Sequence, residues 1–162
     1  FGIRDLENIT FKNMTVTNTS EYGQGIRMSN AKVELFDVAF KGCSSTALGI
    51  YDSTSVTTVV ATRCEFANCH SGVRVEGSLN SAKFNNCVFH DNEFIGMYVC
   101  NKGTIHLHGE ATAIHSNGGY GIFAGMSGKV RIHLPSHHNT SYNNGDEDRH
   151  TSTGGTITNV ED

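Results

Sequence analysis

Three histidines late in the chain are spaced for joint work. His106 and His108 are separated by one residue, and His133 follows about one repeat later, next but one to Arg131. If His106 and His108 alternate along a strand, both face the same way, about 6.8 Å apart. A histidine on the neighbouring strand would stand about 4.8 Å from its equivalent. Three imidazoles in such a triangle can converge on one ion, as in many zinc sites. Lys83 and Arg131 argue against it, because both fall in the same column as His106 and repel a cation. Their charge should also push the His106 pKa down. Neutral imidazoles able to take up a proton are therefore expected, with no metal and no other cofactor. His106, His108, Arg131 and His133 form the candidate catalytic set, against the plainer alternative of solvent-facing polar side chains. His90 and His115 make a further column of the same kind, while His137 and His138 sit where no regular geometry can be argued.

A second series offers binding chemistry. Arg4, Arg27, Tyr51, Arg74, Tyr98 and Phe123 each follow a Gly-apolar pair. Set in one outward file, their rings would stack on the apolar faces of sugars. The guanidinium groups would supply planar donors and pair with acidic sugars. These six are the candidate ligand-binding residues. The competing possibility is a surface that stabilises itself, with arginine lying over tyrosine.

Both sets depend on what brings distant residues into files. The Gly-apolar unit recurs at Gly2, Gly25, Gly49, Gly72, Gly96 and Gly121, in steps of 23 to 25 residues. Repetition at that period marks a solenoid. Other columns keep step: Ile9/Phe11, Val33/Leu35, Ala82/Phe84, Ile105/Leu107 and Val130/Ile132 form one, and Met14/Val16, Val38/Phe40, Cys64/Phe66, Cys87/Phe89 and Thr112/Ile114 another. Between Val56 and Val60 the first of these admits two registers. Each repeat thus holds three short runs of period two, which means strands. A short strand with one buried face is not stable alone, but coils stacked on coils bury every inward residue. Ile26, Ile50, Val73, Met97 and Ile122 are expected to pile into one inward file, and Phe40, Phe66 and Phe89 into another. Asn recurs before Gly-apolar at Asn68, Asn92 and Asn117, with Asn143 before Gly145 as a weaker match. Asn tolerates left-handed turns and can bond along a stack.

This repeated Asn-xxx-Gly-apolar-x-apolar unit resembles the parallel β-helix repeat of the pectin-lyase-like superfamily over roughly residues 1–134. The resemblance implies an all-β, right-handed parallel β-helix of about six coils with three strands each. It does not bring the enzymes' motifs with it. The Asp-Pro-His of the epimerases is missing, since Pro135 follows Leu134. Of the polygalacturonase motifs only Arg131-Ile132-His133 comes near Arg-Ile-Lys, and the lysine is absent. The calcium-binding acids of pectate lyases have no counterpart in the scattered Glu34, Glu65 and Glu76. An ice-binding rank of threonines fails too, because Thr15 is followed in its column by Ala39, Glu65 and Val88.

Bulk composition narrows the partners. Formal net charge is -4, so the basic stripe that nucleic acid needs is lacking. No apolar run approaches the roughly 18 residues of a membrane span. Four sequons begin at Asn8, Asn13, Asn18 and Asn139, about as many as chance gives at this Asn, Ser and Thr density. Cys43, Cys64, Cys69, Cys87 and Cys100 are odd in number and form no CxxC pair, so they are expected as small apolar filler. Asp146, Glu147 and Asp148 lack the alternation of a calcium loop.

One domain over 1–162 is expected, with regular coils to 134, an irregular polar loop over 135–155 and a further coil starting at 156. Open strand edges and the lack of capping helices suggest a segment of a larger protein, extracellular or at a cell surface, or self-association through coil ends. The function expected is a non-catalytic structural or polysaccharide-binding module. The alternative is a divergent lyase, epimerase or hydrolase acting on acidic glycans.

Overall fold

The computed structural model describes residues 1–51, 53–133 and 140–161. Pro135, His137, His138 and the Asn139 sequon lie outside the described residues. The period-two runs become strands that wind coil upon coil. The first coil holds β1 (Gly2–Arg4) and β2 (Ile9–Val16), and the second β3 (Ile26–Ser29) and β4 (Lys32–Lys41). Three strands per coil follow: β5 (Thr46–Ile50), β6 (Thr57–Thr62) and β7 (Glu65–Ala67); β8 (Ser71–Glu76), β9 (Asn80–Asn85) and β10 (Val88–His90); β11 (Ile95–Cys100), β12 (Thr104–His108) and β13 (Ala113–His115); β14 (Ile122–Ala124), β15 (Lys129–His133) and β16 (Ser141–Tyr142). A last turn begins with β17 (Arg149–Thr151) and β18 (Thr156–Val160). Among the described residues there is no helix, so none that could cross a membrane.

The strands stack in parallel on three faces. Face A carries β1, β3, β5, β8, β11, β14 and β17. Face B carries the first half of β2 and β4, then β6, β9, β12, β15 and β18; face C carries their second half, then β7, β10, β13 and β16. The corner between B and C is built by one left-handed residue per coil: Asn13, Asp37, Arg63, Asn86 and Gly109, with φ between 50 and 90°. Asn, Asp and Gly reach that region most cheaply. Arg63 is the exception, and its guanidinium grips the Asp37 carboxylate one coil below through Nε and Nη2, at 2.8 and 2.6 Å.

Inside, like sits on like. Val33, Val59, Ala82, Ile105 and Val130 form one file and Leu35, Ala61, Phe84, Leu107 and Ile132 another, which settles the register left open at Val56–Val60. Phe40, Phe66 and Phe89 stack with centroids 4.9 and 4.7 Å apart and planes within 7° of parallel. All five cysteines are free and buried. Two pairs are stacked between coils, the Cys43 amide donating to Cys69 Sγ and the Cys64 amide to Cys87 Sγ.

At the corner between C and A a buried amide ladder runs up the molecule. Asn92 Nδ2 donates to Asn117 Oδ1 at 2.9 Å, and Asn117 Nδ2 to Asn144 Oδ1 at 2.8 Å. Each amide also donates to the carbonyl of a residue one coil below: Phe66, Phe89 and Ile114 in turn. Cys69, not Asn68, holds this place in the preceding coil, where its amide donates to Asn92 Oδ1. Asn68 and Asn143 stand one residue earlier, in the left-handed position that turns the chain.

Two expectations are corrected. The inward file on face A runs Ile26, Leu48, Val73, Met97, Ile122, while Ile50 belongs with Met28, Val75, Val99 and Ala124. Leu48 and Ile50 both point inward, so a shift of two residues keeps every side chain on its correct face and leaves no trace in the pattern. Second, residues 141–151 do not project as a loop. β16 pairs with β13 and β17 with β14, continuing faces C and A. Their strands are two and three residues long and inwardly polar, with Ser141 standing over Ile114, so no alternation betrays them.

Candidate functional site

The outward residues of face A follow the same shifted register. The backbone file is Gly2, Arg27, Gly49, Arg74, Tyr98, Phe123 and His150. Arg4 and Tyr51 therefore leave the file in which they were expected. Arg4 pairs with Ser29 and its Nε donates to the Ser29 hydroxyl at 3.2 Å. Tyr51 recovers its place by reach. Its ring folds back over Gly49, where a Cβ would overlap it, and fills the gap between two arginines. The Arg27 guanidinium lies 5.1 Å from the Tyr51 centroid, and Arg74 lies 5.5 Å from Tyr51 and 5.3 Å from Tyr98. Such contacts are each worth about 0.5–2 kcal/mol, more when desolvated.

The ladder is thus Arg27, Tyr51, Arg74, Tyr98, Phe123, His150. Arg74 Nε is buried without a hydrogen-bond acceptor, in a guanidinium flanked by the Tyr51 and Tyr98 rings. The Arg74 Nη2 donates to Glu76 Oε2 at 2.8 Å, and Asn101 Nδ2 donates to the other Glu76 oxygen, so the guanidinium is fixed from the side. Burial pushes the Tyr51 and Tyr98 phenols above their usual pKa, although the nearby Arg74 charge works the other way.

Gly49→Ala follows as a test of this packing. A methyl at 49 should displace the Tyr51 ring at a stability cost of about 1–2 kcal/mol. The Tyr51 phenol, freed from burial, should then ionise at lower pH than in the native protein. An ultraviolet pH titration checks it; an unchanged tyrosine profile would mean that the ring is not held there.

Beside the ladder lies a cleft of about 360 Å³. Phe94, Tyr98 and Phe123 give it aromatic walls, and Arg74, Thr46, Ser71 and His70 give it polar groups. Phe94 is 45% exposed, with its ring 6.0 Å from that of His70. Farther up, Tyr120 packs against Phe123 and His150, at 5.1 and 4.7 Å. Phe94, Tyr120 and His150 were not among the sequence candidates. Each stands at a corner or in the polar last coil, outside any alternating run; for Phe94 and Tyr120 an aromatic ring beside a Gly-apolar unit was the only signal, and His150 carried none.

Face B brings the histidines together as their columns predict. Lys83, His106 and Arg131 are paired in register, and His108 pairs with Asn85. His106 Nδ1 and His133 Nε2 share a hydrogen bond of 2.9 Å, and the His108 and His133 rings stack at 3.9 Å. Burial, then the charges of His133, Arg131 and Lys83, hold the His106 pKa below that of an ordinary histidine. Among the described residues, the potential metal ligands that gather here are His106, His108 and His133. On face C, His90, His115 and Tyr142 stack in a second column, with centroids 5.3 and 5.1 Å apart. His90 Nε2 lies 3.0 Å from Glu65 Oε1, whose other oxygen receives Lys41 Nζ at 2.9 Å.

A family model described as "right handed beta helix region" matches residues 2–161. No curated protein and no solved structure gives a significant match to the chain.

Proposed function

The chain belongs to the right-handed β-helix family, and on that premise we propose that it is a non-catalytic module whose face A binds polysaccharide. The observation that carries this reading is the continuous ladder from Arg27 to His150, opening on an aromatic cleft beside Arg74. A sugar ring has apolar faces and a polar rim. Phe94, Tyr98 and Phe123 suit the faces; Thr46, Ser71 and His70 suit the hydroxyls. Arg74 places a guanidinium in the cleft wall; with Nη2 already on Glu76, it favours acidic sugars through its remaining charge and not through a bidentate fork. The parallel coils hold all of these on a rigid backbone, so little ordering entropy opposes binding.

Glycan-array screening followed by calorimetry tests the proposal. Tyr98→Ala and Phe94→Ala should each weaken binding about tenfold, the equivalent of about 1.4 kcal/mol. Arg74→Gln should erode the preference for acidic over neutral chains. Indifference of the native protein to every neutral and acidic glycan would overturn the binding role and leave a spacer. The carbohydrate-active enzyme would have to use His106, His108, Arg131 and His133 on face B. Glycoside hydrolysis normally calls on a pair of carboxylates, and the cluster there is made of imidazoles, so binding is the better-supported reading.

A further inference from the structure

We propose that His106, His108 and His133 bind one borderline divalent transition-metal ion, zinc, nickel or copper, on face B. The inference is independent of the carbohydrate reading, which rests on face A. His106 and His108 project from β12 and His133 from the adjacent β15. One nitrogen from each lies within 4.8 Å of the others. Three nitrogens around a tetrahedral zinc at 2.0–2.1 Å would be about 3.3 Å apart. The His106–His133 pair, at 2.9 Å, is already closer than that. The remaining approach is about 1.5 Å at most, within the reach of side-chain rotation. It requires His108 and His133 to fan out of their stack, turning their in-plane lone pairs toward a common point. All three side chains are half-buried and outward on the sheet, and among the described residues none other of the usual metal-ligating types joins them.

The donor set chooses the ion. Three neutral imidazoles without a carboxylate suit zinc, nickel and copper, and do not suit calcium or magnesium, which require oxygen. The backbone is preorganised, because β12 is paired on both sides, with β9 and β15. Lys83 and Arg131 oppose the ion. Both are exposed and sit in the His106 file on either side, so they lower affinity without occupying the site.

The test is titration of the full chain, stripped with a chelator, with Zn²⁺, Ni²⁺ and Co²⁺, read by calorimetry and by the visible spectrum of bound cobalt. One ion per chain is expected, with a tetrahedral or five-coordinate cobalt spectrum and no response to Ca²⁺ or Mg²⁺. His108→Ala and His133→Ala should each weaken zinc binding at least tenfold, and Lys83→Gln should tighten it several-fold. His90→Ala, on face C, should change nothing. Circular dichroism and thermal melting establish that each variant is folded, and histidine ring ¹⁵N shifts in the native protein identify the ligating nitrogens without any substitution. The proposal fails if the native chain binds no ion, or if binding survives joint replacement of His106, His108 and His133. It also fails if replacing His137 and His138 abolishes binding while the three named histidines prove dispensable.

Discussion

Phe66→Ala is expected to destabilise the chain by about 4–6 kcal/mol. Phe66 is fully buried, with Phe40 and Phe89 stacked on its two faces and Phe84 meeting it edge-on at 5.7 Å. Truncating a buried phenylalanine costs about 3–5 kcal/mol in lost transfer and cavity terms. Each aromatic pair adds about 0.5–1.5 kcal/mol. Relaxation is limited, because the coils above and below are fixed to each other by parallel ladders. Phe66→Leu, which keeps most of the volume, should cost about 1–1.5 kcal/mol. Urea unfolding of the three proteins measures the difference. Hydrogen exchange should show the loss centred on the second to fourth coils, since stability in a stacked repeat is a sum of neighbour terms. A cost below about 1.5 kcal/mol for the alanine variant would mean that the aromatic stack is not rigidly packed.

Asn117→Ala should cost about 3–4 kcal/mol, although it removes far less volume. The Asn117 side chain is 1% exposed. Its Oδ1 accepts from the backbone amide and the side chain of Asn92, and its Nδ2 donates to the Phe89 carbonyl and to Asn144 Oδ1. Alanine strands these partners in the interior, at about 1–3 kcal/mol for each group left unpaired. Asn117→Asp keeps the shape but loses both donors and buries a charge. Burial raises the pKa of that carboxyl in the folded state, so the variant binds a proton on folding and is penalised most at neutral pH. Its deficit against the native protein should therefore shrink as pH falls from 7 toward 4. Thermal melts at both pH values check the sign. A deficit that grows in acid would contradict a buried carboxyl, and an Asn117→Ala melt indistinguishable from the native one would contradict the ladder.

The fold was legible because inward positions repeat with period two inside a longer period of about two dozen residues, and both signals survive polar substitution on the outer faces. The histidine cluster was legible for the same reason, since Lys83, His106 and Arg131 lie in coils whose face B registers do not slip. The face A ladder was only partly so. A shift by two residues is silent in an alternating pattern, and Leu48-Gly49-Ile50 reads as well as Ile50-Tyr51 against Ile26-Arg27. That Tyr51 nevertheless lies between Arg27 and Arg74 depends on the length of its side chain and on the missing Cβ of Gly49, which no spacing rule contains. Phe94 and Tyr120 stand at corners, where periodicity is lost. The strands at 141–142 and 149–151 are held by backbone pairing to the coil before them, so their own sequence carries little of the signal.

The register slip at Gly49 has a bearing on how such a chain can grow. Every plane of the stack presents much the same backbone to the next, so copying one whole coil in the gene would add a rung to the aromatic–cationic ladder and disturb only a single junction. Under the binding role proposed for face A, multivalent contact with a long polymer would be strengthened in increments, by duplication instead of by redesign. Small indels are a different matter. The tyrosine bent over a glycine shows a two-residue register shift filled by a single side chain, and it gives a measure of the irregularity that this architecture can absorb.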